Sequence, residues 1–156
     1  MRHIHLIAAL ACALGAACSK PAPTPQATPT SGAHAANGTP AEHAAEIPAM
    51  TLDQLATMLT NREQVAVYDA NGRERYEQGH IPSARHVGHD QVTADVLPAD
   101  RAARLVFYCA NEHCMACHTA ARQAVALGYT NVFVLPAGIM GWTRAGKPVV
   151  AGTNPS

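Results

Sequence analysis

Leu105-Val-Phe-Tyr108 runs without a break into Cys109-Ala-Asn-Glu-His-Cys-Met-Ala-Cys-His118, and an alanine-rich stretch follows at once. Consecutive large apolar residues between Arg104 and a polar loop have the length of a buried strand rather than of a helix. Beyond the loop, residues 119–127 set Ala120, Ala121, Ala124 and Leu127 along one side and stop at Gly128. That pattern predicts a helix slim enough to lie close against a sheet. A strand that hands over to a helix start gathers unpaired backbone N–H groups and the positive end of a helix dipole, and both favour thiolate over thiol. Cys109 therefore stands where a sulfur nucleophile belongs.

Upstream, Thr51-Leu-Asp-Gln-Leu-Ala-Thr-Met-Leu59 puts apolar residues at 52, 55, 58 and 59 behind a Thr51 N-cap, which predicts an amphipathic helix. Gln64-Val-Ala-Val-Tyr68 predicts a short strand ending at Asp69, and residues 73–78 a polar helical turn or two closed by Gly79. His80-Ile-Pro-Ser-Ala84 is expected to run extended, because a residue before proline avoids helical geometry. Residues 90–103 are expected to form one or two short helices interrupted by Pro98. Downstream, Asn131-Val-Phe-Val-Leu135 predicts another strand, and Pro136-Ala-Gly138 turns into a short helix holding Trp142. Strands separated by helical segments predict an α/β fold, a small doubly wound parallel sheet with helices on both faces. Ligands of such sheets bind beyond the carboxyl ends of the strands, where Asp69 and Cys109 both emerge.

Ahead of this domain, expected over residues 49–150, the chain reads as a targeting segment and a spacer. Arg2 and the apolar stretch from Leu6 to Ala17, ending in Gly15-Ala-Ala-Cys18, predict an export signal over residues 1–18. The stretch is too short to cross a bilayer as a permanent helix. The small residues ahead of Cys18 resemble the lipobox of bacterial lipoproteins, which implies acylation of Cys18 and attachment on the periplasmic side of a membrane. Plain cleavage and release into the periplasm is the alternative. Residues 19–48 repeat proline among Ala, Thr, Ser, Gly and His with almost nothing large and apolar to bury. Such a segment cannot offset the entropy of ordering and is expected to be a disordered, semi-extended tether, with a short disordered tail over residues 151–156.

The charges balance, 11 Lys and Arg against 11 Asp and Glu. No basic stripe with interleaved aromatics occurs, which argues against nucleic acid as a partner, and the domain, of ordinary size and without internal repeats, is expected to act as a monomer. Of the five cysteines, Cys12 would leave with the signal and Cys18 take the lipid, so three remain, all in one loop. Three is odd, so at most one disulfide forms among them and one sulfur stays available. Structural staples of small exported folds are spread out, whereas these are clustered, and clustering favours chemistry over stapling.

The order of pieces from Thr51 to about Pro148 resembles the rhodanese domain. The resemblance is carried by Val67-Tyr-Asp69, by Tyr76 with Gly79-His-Ile-Pro-Ser-Ala84, by Val106-Phe-Tyr-Cys109, by Ala120-Ala121 with Leu127-Gly-Tyr129, and by Val132 to Leu135 leading to Gly138 and Trp142. It implies a doubly wound α/β fold and a sulfurtransferase that needs no cofactor, in which a cysteine becomes a persulfide and hands its outer sulfur from a small donor to a thiol acceptor. This chain departs from the family pattern in three places. Asn71 stands where a basic residue commonly follows the first strand's Asp; Glu112, His113 and Cys114 replace the usual glycine and terminal arginine of the loop; and the nucleophile lies two residues further from the Ala-Ala pair. These changes argue against thiosulfate, the usual anionic donor.

Cys109 is accordingly the candidate nucleophile, attacking a sulfane sulfur to give a persulfide cupped by the N–H groups of a sulfur-binding loop formed by Ala110, Asn111, Glu112, His113 and Cys114. Cys114 and Cys117 are candidate resolving thiols for a persulfide or sulfenic acid on Cys109. Other readings stay open. Cys114-Met-Ala-Cys-His118 also spells the attachment signature of c-type haem, with Cys114 and Cys117 as thioether positions and His118 as axial ligand. Cys109, Cys114, Cys117 and His118 form a donor set for a soft ion such as Cu(I) or Zn(II), and a non-catalytic rhodanese-like binding domain is a further alternative. A phosphatase needs a guanidinium in the loop to grip phosphate, and the nearest downstream is Arg122, well into the helix. Asp69 is expected to pack or hydrogen-bond at its strand end, Trp142 to lie in the core, and His80, His86 and His89 to be surface histidines.

Overall fold

The computed structural model describes residues 46–153. In chain order they form α1 (Leu52–Thr60), β1 (Ala66–Asp69), α2 (Arg73–Gln78), β2 (Arg85–His86), β3 (Leu105–Tyr108), α3 (Ala116–Ala126), β4 (Val132–Leu135) and α4 (Gly138–Arg144). The expected export signal, the Cys18 acylation site, most of the tether and the end of the tail lie outside the described residues.

β3 organises the rest. All four of its residues are buried, and it lies between β1 and β4 in a parallel sheet of order β2-β1-β3-β4. Val67 registers with Val106, and Val106 with Phe133. Because successive side chains point to opposite faces of a strand, Leu105 and Phe107 join Ala120, Ala121 and Ala124 of α3 on one side. Val106 and Tyr108 join Leu55 of α1 with Ile139 and Trp142 of α4 on the other. Each large apolar side chain so buried contributes about 1.5–3 kcal/mol. The expected doubly wound sheet, covered on both faces, is what the chain forms. The alanines of α3 matter by their smallness, since all three are fully buried and bring the helix backbone close to the strands.

α1 starts where the sequence predicts. Thr51 Oγ1 accepts the Gln54 N–H at 3.2 Å, and Gln54 Oε1 accepts the Thr51 N–H at 2.8 Å, a reciprocal capping box. Just before it, Pro48 to Met50 runs along β4. The Met50 N–H donates to the Val134 carbonyl at 2.7 Å and the Val134 N–H to the Pro48 carbonyl at 3.0 Å. At the other end of the chain Val150 bridges His80 antiparallel.

Three local expectations are corrected. Residues 90–103 form no helix but a series of turns, closed by bonds such as Gln91 N–H to Gly88 O and Ala103 N–H to Asp100 O. Tertiary anchors win over local propensity here. Val92 and Leu97 are buried, the Tyr68 hydroxyl donates to the Val96 carbonyl, and the Tyr129 hydroxyl donates to the Pro98 carbonyl. Residues 80–84 are not extended throughout, because Ser83 takes a φ of 67° and the Ala84 N–H closes a turn onto Ile81 O. That turn delivers Arg85 and His86 to β1 as the edge strand β2. Finally, α3 begins at Ala116 rather than at residue 119. Asn111 tightens the loop, its Oδ1 accepting the His113 N–H at 3.0 Å and its carbonyl the Cys114 N–H at 3.1 Å, so the helix starts earlier.

Candidate active site

The earlier helix start decides the geometry of the three sulfurs. Cys109 follows β3 and is 1% exposed; Cys117 lies in the first turn of α3, also 1% exposed, and faces back toward it. The Cys109 S–H points to Cys117 Sγ at 3.2 Å and to the Cys114 carbonyl at 3.1 Å. Cys114 is half-buried, and all three thiols are free. The carbonyls of Cys109 and Ala110 are held in turn by the start of α4, accepting the N–H groups of Ile139 at 2.9 Å and Met140 at 3.0 Å. Gly138 makes this clamp feasible. Its φ is 57°, and a Cβ there would stand 2.5 Å from the Cys109 carbonyl oxygen. The sequence marks Gly138 only as a turn; its role against the nucleophile's own backbone follows from the tertiary approach.

The electrostatic expectation for Cys109 is corrected. Cys117 competing for the proton, together with burial, pushes the Cys109 thiol far above the ordinary thiol range. Cys117 moves the other way, lowered by the Cys109 S–H and by the N–H groups of His118 and of its own residue, against the cost of burial. The first-turn N–H groups of α3 therefore serve both sulfurs, His118 and Cys117 acting on Cys117 and Cys117 also on Cys109. Of the two thiols, Cys117 ionises the more readily. Two groups so tightly coupled titrate as one unit, and the proton they share is mobile between them.

The expected N–H cup around Cys109 is also narrower than the span 110–114. The N–H groups of His113 and Cys114 are already engaged within the loop by Asn111, and those of Ala110 and Ala116 face the Cys114 sulfur. The Cys117 N–H is the backbone donor turned to Cys109. Glu112 and His113 are exposed on the loop, 3.9 Å apart. Asn111 Nδ2 reaches Met140 Sδ at 3.5 Å, adding a side-chain link between loop and α4.

Among the described residues, no group of three or more His, Cys, Asp or Glu side chains stands positioned to hold a metal ion, so Cys109, Cys114, Cys117 and His118 do not converge on one. Thioether attachment of haem needs outward-facing sulfurs, whereas Cys117 is turned inward to Cys109. Asp69 hydrogen-bonds at its strand end, its Oδ1 accepting the Asn71 N–H at 2.8 Å and Asn71 Nδ2 at 2.7 Å, while burial pushes its carboxyl up. Trp142 lies in the core with Nε1 donating to the Pro148 carbonyl. Two of the three histidines are not on the surface. His80 is buried, stacked on Tyr76 with ring centroids 3.8 Å apart and Nδ1 bonded to the Tyr76 carbonyl, and half-buried His86 reaches the Asn71 carbonyl. His89 alone of the three is exposed.

A family model described as a rhodanese-like domain matches residues 51–145, which takes in every strand of the sheet and the whole cysteine loop. The chain belongs to the rhodanese-like domain family. The uncharacterized protein YibN of Escherichia coli (strain K12) is 28% identical to this rhodanese-like domain over 98 residues, 62% of this chain and 68% of that protein. The crystal structure of the BH2092 protein from Bacillus halodurans superposes with a TM-score of 0.63 at 23% identity, covering 67% of this chain and 77% of that one. Thiosulfate sulfurtransferase from Pseudomonas aeruginosa superposes with a TM-score of 0.58 at 21% identity, over 69% of this chain and 21% of that one. At these identities the structural likeness concerns the fold.

Proposed function

We propose that this rhodanese-like domain is a sulfurtransferase that carries sulfane sulfur as a persulfide on Cys109. The observation that supports this most directly is the pairing of Cys109 with a second thiol that takes up its proton, Sγ to Sγ 3.2 Å. A buried thiol with a raised pKa is a poor nucleophile until a base removes its proton. Cys117, which ionises more readily than Cys109, is that base once it has lost its own proton. When the proton crosses to Cys117, Cys109 becomes the anion and attacks the outer sulfur of a donor R–S–SH. A Cys109 persulfide forms and RS⁻ leaves, and a thiol acceptor then removes the outer sulfur.

The proposed donor is a persulfide or another weakly charged carrier rather than thiosulfate. Glu112, exposed on the loop, sets a negative charge before the approaching donor, and Asn71 stands where the family commonly has a cation. The export signal, the spacer and Cys18 support a protein working at the periplasmic side of a membrane, lipid-anchored through Cys18. Side-by-side rates with a small-thiol persulfide and with thiosulfate test the donor assignment. The persulfide is expected to turn over faster, Glu112→Gln is expected to raise the thiosulfate rate, and a clear preference of the native protein for thiosulfate overturns the assignment.

A further inference from the structure

Cys117 has a second capacity. Once a sulfur is loaded on Cys109, the thiol nearest the inner sulfur is already inside the protein. Cys117 is fixed by the first turn of α3, 1% exposed, and its Sγ lies 3.2 Å from Cys109 Sγ. Cys114 also interacts with Cys109, through its backbone carbonyl at 3.1 Å and through its thiol, but it is only half-buried and the N–H groups of Ala110 and Ala116 face its sulfur. A dissolved acceptor has to reach a buried atom that Cys117 already touches.

We propose that Cys117 resolves the Cys109 persulfide internally, so that the domain reduces sulfane sulfur to sulfide and stores the oxidation as a Cys109–Cys117 disulfide. This rests on the persulfide reading above and names its product. The departing RS⁻ takes back the proton from Cys117, the Cys117 thiolate places its electron pair on the inner sulfur, the bond from inner to outer sulfur breaks, and the outer sulfur leaves with that bond's pair as HS⁻. The two cysteine sulfurs together lose two electrons and the outer sulfur gains two. Counted from the reactive pair, one thiol and one thiolate together with R–S–SH give the disulfide, RSH and HS⁻. Sulfide is a weakly basic leaving group for thiol–disulfide chemistry, which favours displacement at the inner sulfur. The two sulfurs close from van der Waals contact to a bond of about 2 Å, a short movement for side chains already facing each other. Return to the resting state takes a dithiol reductant, which removes the disulfide by exchange.

The test uses the protein without oxygen, treated with a stoichiometric amount of a small-thiol persulfide and with no added acceptor. Native protein is expected to release sulfide in step with loss of two thiols, and peptide mass mapping is expected to find Cys109 joined to Cys117. Cys117→Ser, close in volume and still able to accept from Cys109 but no longer a base, is expected to load Cys109 more slowly than the native chain, to lose this sulfide release and to retain on Cys109 the sulfur it does take up. Cys114→Ser is expected to release sulfide like the native chain. The proposal is overturned if native protein keeps the sulfur on Cys109 without releasing sulfide, or if the disulfide joins Cys109 to Cys114. If neither native protein nor Cys117→Ser ever holds an added sulfur on Cys109, the persulfide reading fails first and this inference falls with it. The mapping on native protein stands whether or not the variants fold.

Discussion

β1 and β3 are neighbours in the sheet and each leads to a buried titratable side chain, Asp69 as the last residue of β1 and Cys109 as the first after β3, yet the two ends behave differently. Asp69 is bonded by two donors of Asn71 that cannot change protonation and by the Tyr108 hydroxyl, whose proton burial holds firmly, so these bonds settle the turn after β1. Cys109 is bonded to a group that titrates, and its proton has somewhere to go. A buried acid with permanent partners builds structure; the same burial with a titrating partner leaves a reactive pair.

The largest contrast is expected on sulfur uptake. Cys109→Ser should abolish added sulfur, read by intact mass after treatment with a persulfide donor, while the unfolding midpoint in urea stays close to native. Asp69→Ala should do the reverse. Leaving the Asn71 N–H unpaired costs about 1–3 kcal/mol of stability, while uptake per folded molecule stays near native. Loss of uptake in the folded Asp69 variant would break the division between the two ends.

A third substitution probes what holds the Cys109 end still. Gly138→Ala combines a left-handed backbone position with a Cβ 2.5 Å from the Cys109 carbonyl oxygen. The backbone conformation alone should cost about 1–3 kcal/mol in urea unfolding, with sulfur uptake falling as the loop is displaced. The smallest expected effect is on titration. Cys109→Ala removes the S–H that stabilises the Cys117 thiolate, so the thiolate ultraviolet absorbance of Cys117 should rise at a higher pH than in native protein. The sign for stability follows. Folding lowers Cys117, so its stabilising contribution is present above the thiol's unfolded value and is lost as pH falls through the folded one. Unfolding measured across that window should show native protein losing more stability on acidification than Cys117→Ser.

Much of the fold is local pattern and was legible for that reason. Leu105 to Tyr108 reads as a buried strand because all four residues are large and apolar, and the alanines of α3 mark the face that meets it. β2 was hidden because two polar-edged residues become a strand only by pairing with β1. The expected helices in residues 90–103 failed because Tyr68 and Tyr129 draw the carbonyls of that segment into tertiary bonds. At the site, the position of Cys109 was legible from strand, cysteine and helix in sequence. Which sulfur ionises the more readily was not. It depends on where α3 begins, and Asn111 advances that start so that Cys117, not Cys109, sits in the first turn.

The run of Pro48 to Met50 along β4 bears on how the protein behaves at high concentration. Without it, the N–H of Val134 and its carbonyl would lie on an open sheet margin, a template on which a second molecule could add its own strand. The opposite margin is β2, only two residues long. With one border capped by the chain's own approach and the other too brief to recruit a neighbour, the sheet offers little purchase for fibrillar or edge-to-edge self-association.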